Sequence, residues 1–82
     1  MKIRYKTAVH VAAGWRDISV VAECSEKSEK MVTVTKVLLV DGETPRYGQS
    51  RTGARRQQFN GLFAAKKEEG KTKRLSACEV VG

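Results

Sequence analysis

One histidine and two cysteines are all this chain offers of the residue types that most often hold metals or attack substrates. A zinc site needs Cys and His in clusters, and neither Cys24 nor Cys78 has His10 close by in sequence. A secreted disulfide scaffold usually carries four or more cysteines. Two reduced thiols packed as small hydrophobes are therefore expected, with a bridge between terminal strands as the alternative. Long apolar runs are missing too. Nothing approaches the roughly 20 residues of a membrane span, and residues 1–6 open with charges and lead into no apolar stretch of a signal peptide. These scarcities point to a cytoplasmic chain with no metal, no cofactor and no membrane contact.

The same scarcity argues against catalysis. His10 falls on the polar face of the first predicted strand, where a lone imidazole is an exposed strand residue. Glu23, Glu26 and Glu29 lie in or beside a mixed-charge turn, where solvation leaves carboxylates ordinary. Ser50 and Thr52 have no evident base. Gly70-Lys71-Thr72 has the ending of a phosphate-binding loop, but that pattern requires glycine where Ala65 stands, in a strand–loop–helix setting that is missing. No enzymatic activity is expected.

What the chain does have is positive charge, and it is concentrated. Between residues 46 and 74 lie nine basic residues (Arg46, Arg51, Arg55, Arg56, Lys66, Lys67, Lys71, Lys73 and Arg74) against Glu68 and Glu69. The flanks nearly cancel, so this stretch carries the whole net charge of +7. A basic patch of this kind attracts polyanions and gains affinity by releasing their counterions; it says nothing about fold. Within residues 47–60, arginine forks suit phosphate oxygens or guanine edges, glutamines suit adenine, and aromatic faces suit unpaired bases. The alternatives are a solvated polar loop or a surface for a protein partner. The cluster at 66–74 would act through lysine point charges on phosphate, or would guard a sheet edge against aggregation.

Eighty-two residues fit one domain, 1–82. A chain of this length buries roughly 60–65% of its unfolded surface, enough for one modest core. The first forty residues alternate as strands. Ile3, Tyr5, Thr7, Val9 and Val11 share one face, and Ile18, Val20, Ala22 and Cys24 share the next. Residues 31–40 are rich in β-branched side chains, which favours strand. Asp41-Gly42 suits a tight hairpin turn with positive φ at both positions, followed by a short return strand near 43–47 that Pro45 would confine to an edge. Ala13-Gly14 is a turn candidate. Trp15 beside it is expected as a lid on the core, with an exposed stacking or protein-contact role as the alternative.

Beyond residue 47 two readings compete. Thr52 is a possible cap for a helix through 54–63, but Asn60-Gly61 is a hairpin signal and glycine costs roughly 1 kcal/mol inside a helix. The preferred version is a short basic turn or helix near 52–58, then strands at 62–67 and 72–81 joined at residues 68–71 as a C-terminal hairpin. The alternative is a β-β-β-α-β arrangement with a helix across 52–67. The fold class is mainly β, a small antiparallel sheet or partly closed barrel, with Ile3, Val9, Val11, Ile18, Val20, Val34, Leu38, Leu75 and Val80 in one core.

The expected function is non-catalytic nucleic-acid binding, RNA or single strands slightly favoured because no long recognition helix is evident. Arg51, Arg55, Arg56, Lys66, Lys67, Lys71, Lys73 and Arg74 would contact phosphates. Gln57, Gln58 and Tyr47 would contact bases, and Phe59 either bases or core. The runner-up is a small protein-binding module or inhibitor that regulates a larger nucleic-acid-handling or acidic partner, since arginine and aromatic residues also dominate protein hot spots.

Overall fold

The computed structural model describes residues 1–11, 14–45 and 62–81, apart from the side chains of residues 11, 62 and 63. The alternating segments form three long strands, β1 (Lys2–Val11), β2 (Gly14–Glu26) and β3 (Met31–Val40). A short helix, α1 (Leu62–Glu68), follows; β4 (Thr72–Arg74) and β5 (Glu79–Val81) flank a single 3-10 turn, Leu75–Ala77. All pairings are antiparallel, in the order β4-β3-β2-β1-β5. The fold is mainly β, as the alternation predicts. The sheet does not close into a barrel: β4 and β5 are its edges.

One face of the sheet is the core. Ile3, Tyr5 and Val9 from β1 meet Ile18, Val20, Ala22 and Cys24 from β2, and Val32, Val34, Val37 and Val40 from β3. Ala64 and Ala65 of α1 cover this face. The other face carries Lys2, Arg4, Lys6 and His10, all exposed. Both thiols are free, Cys24 buried and Cys78 half-buried.

In β3 the inward residues run 32, 34, 37, 40, which breaks strict alternation. The cause is two register shifts against β2. Cys24 faces Val34 while Glu23 faces Lys36, and Ala22 faces Val37 while Val21 faces Leu39. Thr35 and Leu38 are therefore extra residues, and each reverses the phase of the strand beyond it. Leu38 is half-buried for that reason. Asp41-Gly42 closes as predicted, with φ of 52° and 82° and reciprocal hydrogen bonds between Val40 and Glu43 of 2.8 and 3.1 Å. Among the described residues the return strand is the single bridge Val40–Glu43.

The C-terminal expectation needs correction. Residues 62–67 are helical, because Ala64, Ala65, Lys66, Lys67 and Glu68 are all strong helix formers and Lys66 and Lys67 sit favourably at the negative end of the helix dipole. Residues 72–81 do not form one strand of a hairpin. The 3-10 turn divides them, sending β4 to β3 and β5 to β1 on opposite edges. The alternative β-β-β-α-β arrangement is nearer the structure for this stretch. Val80 lies opposite Ile3 on the edge strand but is 59% exposed, since an edge has neighbours on one side only. Leu75 is partly buried against the core. The predicted turn or helix at 52–58, the Asn60-Gly61 signal and Ala13 lie outside the described residues, as does the Val11 side chain.

This cross-strand pair gives a direct test of the core. Ile3→Ala removes a side chain with no exposed surface and should cost roughly 2–5 kcal/mol in urea denaturation. Val80→Ala should stay within roughly 0.5 kcal/mol, in the range of ordinary surface substitutions.

Candidate functional site

The described part of the basic stretch is divided by one buried carboxylate. Glu68, in the last turn of α1, is 1% exposed, because the helical spacing that turns Ala64 and Ala65 toward the sheet turns Glu68 the same way. Its Oε1 accepts a hydrogen bond from the Tyr5 hydroxyl at 2.7 Å and lies 3.1 Å from Lys73 Nζ. Its Oε2 accepts from Lys71 Nζ at 2.9 Å. Lys73 Nζ also sits 4.5 Å from the centre of the Tyr5 ring, a cation–π contact. Among the described residues, no buried side-chain polar atom lacks a partner.

The electrostatics arise from this packing. Burial alone would raise the Glu68 carboxyl, but the hydrogen bonds from Tyr5, Lys71 and Lys73 together hold it below its ordinary value. Burial, and then the bond to Glu68, push the Tyr5 phenol far above its usual range, so it remains a donor. Burial likewise raises the Cys78 thiol, with the Lys73 charge pulling the other way. A thiol held in its neutral form is a poor nucleophile. Glu69 is structural as well: its Oε2 lies 3.3 Å from the Val37 N–H, between the two bulges of β3.

Each sequence-assigned lysine can now be placed. Lys71 and Lys73 face inward to Glu68, with side chains 51% and 21% exposed. Lys66 and Lys67 are exposed on the last turn of α1, and Arg74 is exposed at the end of β4. Lys27 Nζ reaches Thr72 Oγ1 at 3.5 Å, and the Lys30 carbonyl accepts from the Leu75 N–H at 2.7 Å, so the β2–β3 connection, with Glu26 and Glu29 beside its two lysines, lies against this edge. Lys36 and Lys66 both line a shallow groove between β3 and α1, with Val37, Pro45 and Ala65. Arg51, Arg55, Arg56, Gln57, Gln58, Tyr47 and Phe59 lie outside the described residues.

Two features escaped the sequence reading. Glu68 belongs to a segment that looks like a solvated turn; its signal is its spacing from Ala64 and Ala65, which counts only once 62–68 is helical. Trp15 is not a core lid. It is 74% exposed and packs edge-on against its cross-strand partner His10, with ring centres 5.2 Å apart. The alternating phase puts it on the face opposite Ile18 and Val20.

Among the described residues, no three His, Cys, Asp or Glu side chains are grouped to hold a metal ion. No helix among them is long and apolar enough to cross a membrane. Comparison with protein-family models, curated proteins and solved structures finds no match for this chain.

The Glu68 cluster should make stability depend on acid pH. A carboxyl whose folded pKa is depressed contributes stability above its unfolded pKa and loses it as pH falls through the folded value. Urea midpoints should therefore fall below about pH 4.3, and Glu68→Gln should fall less steeply there. At neutral pH, Glu68→Ala should cost roughly 3–5 kcal/mol, since it strands Lys73 and the Tyr5 hydroxyl. Lys71→Ala, at a half-exposed partner, should cost less than about 1 kcal/mol.

Proposed function

We propose that this protein is a non-catalytic nucleic-acid-binding protein of the cytoplasm that takes its ligand on the basic surface of residues 46–74. The observation that carries this reading is the concentration of nine basic residues against two acids in that stretch. The geometry adds to it. Glu68 is fully buried, whereas Lys66, Lys67 and Arg74 are exposed, and of the two acids only Glu69, one oxygen of which meets the β3 backbone, shares their surface. Even the Glu68 cluster, one carboxylate against two ammonium groups, retains a positive charge. The β2–β3 connection beside the β4 edge is balanced, Glu26 and Glu29 against Lys27 and Lys30, and adds no net charge. Phosphate contacts of this kind supply affinity and position without reading sequence. Single strands or RNA are the favoured ligands.

A second reading is a protein-binding module that regulates a larger nucleic-acid-handling partner. The exposed Trp15 favours it, since tryptophan is enriched at protein hot spots.

Gel-shift or anisotropy titrations at several salt concentrations separate the two. If about four basic groups contact phosphates, log K should fall with log salt at a slope of roughly −3 for single strands and −3.6 for duplex. Replacing Arg55 and Arg56 together with alanine should reduce that slope by up to about 2. No binding to any nucleic acid at low salt would leave the protein-binding reading in its place.

A further inference from the structure

The open face of the sheet carries an aromatic and cationic arrangement that the basic stretch does not include. From Lys2 to His10, every second residue of β1 points to this face: Lys2, Arg4, Lys6, Ala8 and His10, with no acid among them. Arg4 is engaged by Glu79 of β5 through a two-oxygen ion pair. Lys2 and Lys6 are exposed and make no hydrogen bond or ion pair among the described residues. The β2 residues opposite run Glu23, Val21, Ser19, Asp17 and Trp15. β3 begins to pair with β2 only at Val20, and Asp41 beyond it holds Ser19 and the Arg16 side chain, so the backbone of residues 14–18 pairs with β1 alone among the described residues. Trp15 thus stands at the end of a two-stranded ribbon, braced by the His10 ring.

We propose that Trp15 is a stacking platform for an unpaired base of a single-stranded nucleic acid whose phosphates run along the lysines of β1. This rests on the nucleic-acid reading above and adds a second contact region to it. A bare tryptophan face is a sequence-tolerant seat for any base, and the edge-on His10 ring reduces the freedom that stacking must remove. Lys6 lies four residues before His10 on the same strand, roughly 14 Å away at 3.4 Å per residue. The small, exposed Ala8 between them leaves room for a chain to pass. Asp17, across from Ala8, repels phosphate. It therefore keeps the backbone on the β1 side while the base reaches Trp15. A duplex, whose bases are already stacked and paired, offers no face to this ring.

Trp15 is the sole tryptophan, so intrinsic fluorescence reports on this site alone. The test is a titration at low salt with an oligothymidylate of about 15 nucleotides, at the upper end of single-strand site sizes. Anisotropy of labelled oligonucleotide reads binding, and tryptophan emission reads stacking. Binding should quench the emission. Trp15→Ala should weaken affinity about five-fold to a hundred-fold, Trp15→Phe should retain most of it, and a duplex of equal length should leave the emission unchanged. Lys6→Ala should reduce the single-strand salt slope by about 0.7. Because Trp15 is exposed, urea midpoints of its variants should match the parent. Oligonucleotide binding with unchanged emission, and equal affinity for Trp15→Ala, would overturn this proposal while leaving the basic stretch as the binding site. Failure of every nucleic acid to bind would overturn both. A dimer of the parent protein in sedimentation, lost in Trp15→Ala, would assign the face to a second copy of this chain instead.

Discussion

A buried carboxylate needs partners, and Glu68 has three, one from the far end of the chain and two from just beyond its own helix. Tyr5 comes from the first strand, Lys71 from the turn after α1 and Lys73 from the fourth strand. An uncompensated carboxylate in the core would be severely penalised, so Tyr5 and Lys73 favour the seating of α1 on the sheet. Its seat combines this buried carboxylate with the apolar contacts of Ala64 and Ala65. Glu69 reinforces it by taking the Val37 N–H, and the Val34 carbonyl accepts from the Gly70 N–H at 2.8 Å, fastening the end of the helix to β3.

This anchoring divides the lysines of the basic stretch by exposure. Lys71 and Lys73 come soon after Glu68 in sequence, and composition alone counts them with the other basic residues. In space they are its counter-ions, and Lys73 is further held over Tyr5. Of the two acids that dilute the basic stretch in sequence, Glu68 is withdrawn from the surface, while Glu69 stays exposed with one oxygen on the Val37 N–H. The exposed cations of this stretch among the described residues include Lys66, Lys67 and Arg74. Sequence neighbours have divided into structural and solvent-facing roles within a single turn of helix and a three-residue strand.

The legible parts of the chain were those governed by local rules. Period-two alternation located β1 and β2 and their buried face, and Asp41-Gly42 announced its own turn through the positive φ it tolerates. Illegible parts depended on partners far away. The bulges of β3 leave no residue signature, so Leu38 looks like a core position and Val37 does not. Residues 62–67 suit a helix by propensity, yet the neighbouring Asn60-Gly61 pair argued for a hairpin; what the helix covers decides the matter. Val80 alternates like a core residue, but an edge strand cannot bury it. Trp15 looked like a lid because tryptophan usually is one, although its phase already opposed Ile18 and Val20. The basic stretch was plain as composition, while its division by Glu68 required the fold.

The partition of the lysines by Glu68 is the central claim, and amine footprinting reads it residue by residue. The native protein is acetylated briefly at neutral pH, and the extent at each lysine is measured by mass spectrometry. Lys73, ion-paired and mostly covered, should react far more slowly than exposed Lys2 and Lys6, and Glu68→Gln should bring its rate toward theirs. Addition of a single-stranded oligonucleotide should then protect Lys66 and Lys67 while leaving Lys73 as slow as before. Equal reactivity of Lys73 and Lys2 in the free protein would contradict the account.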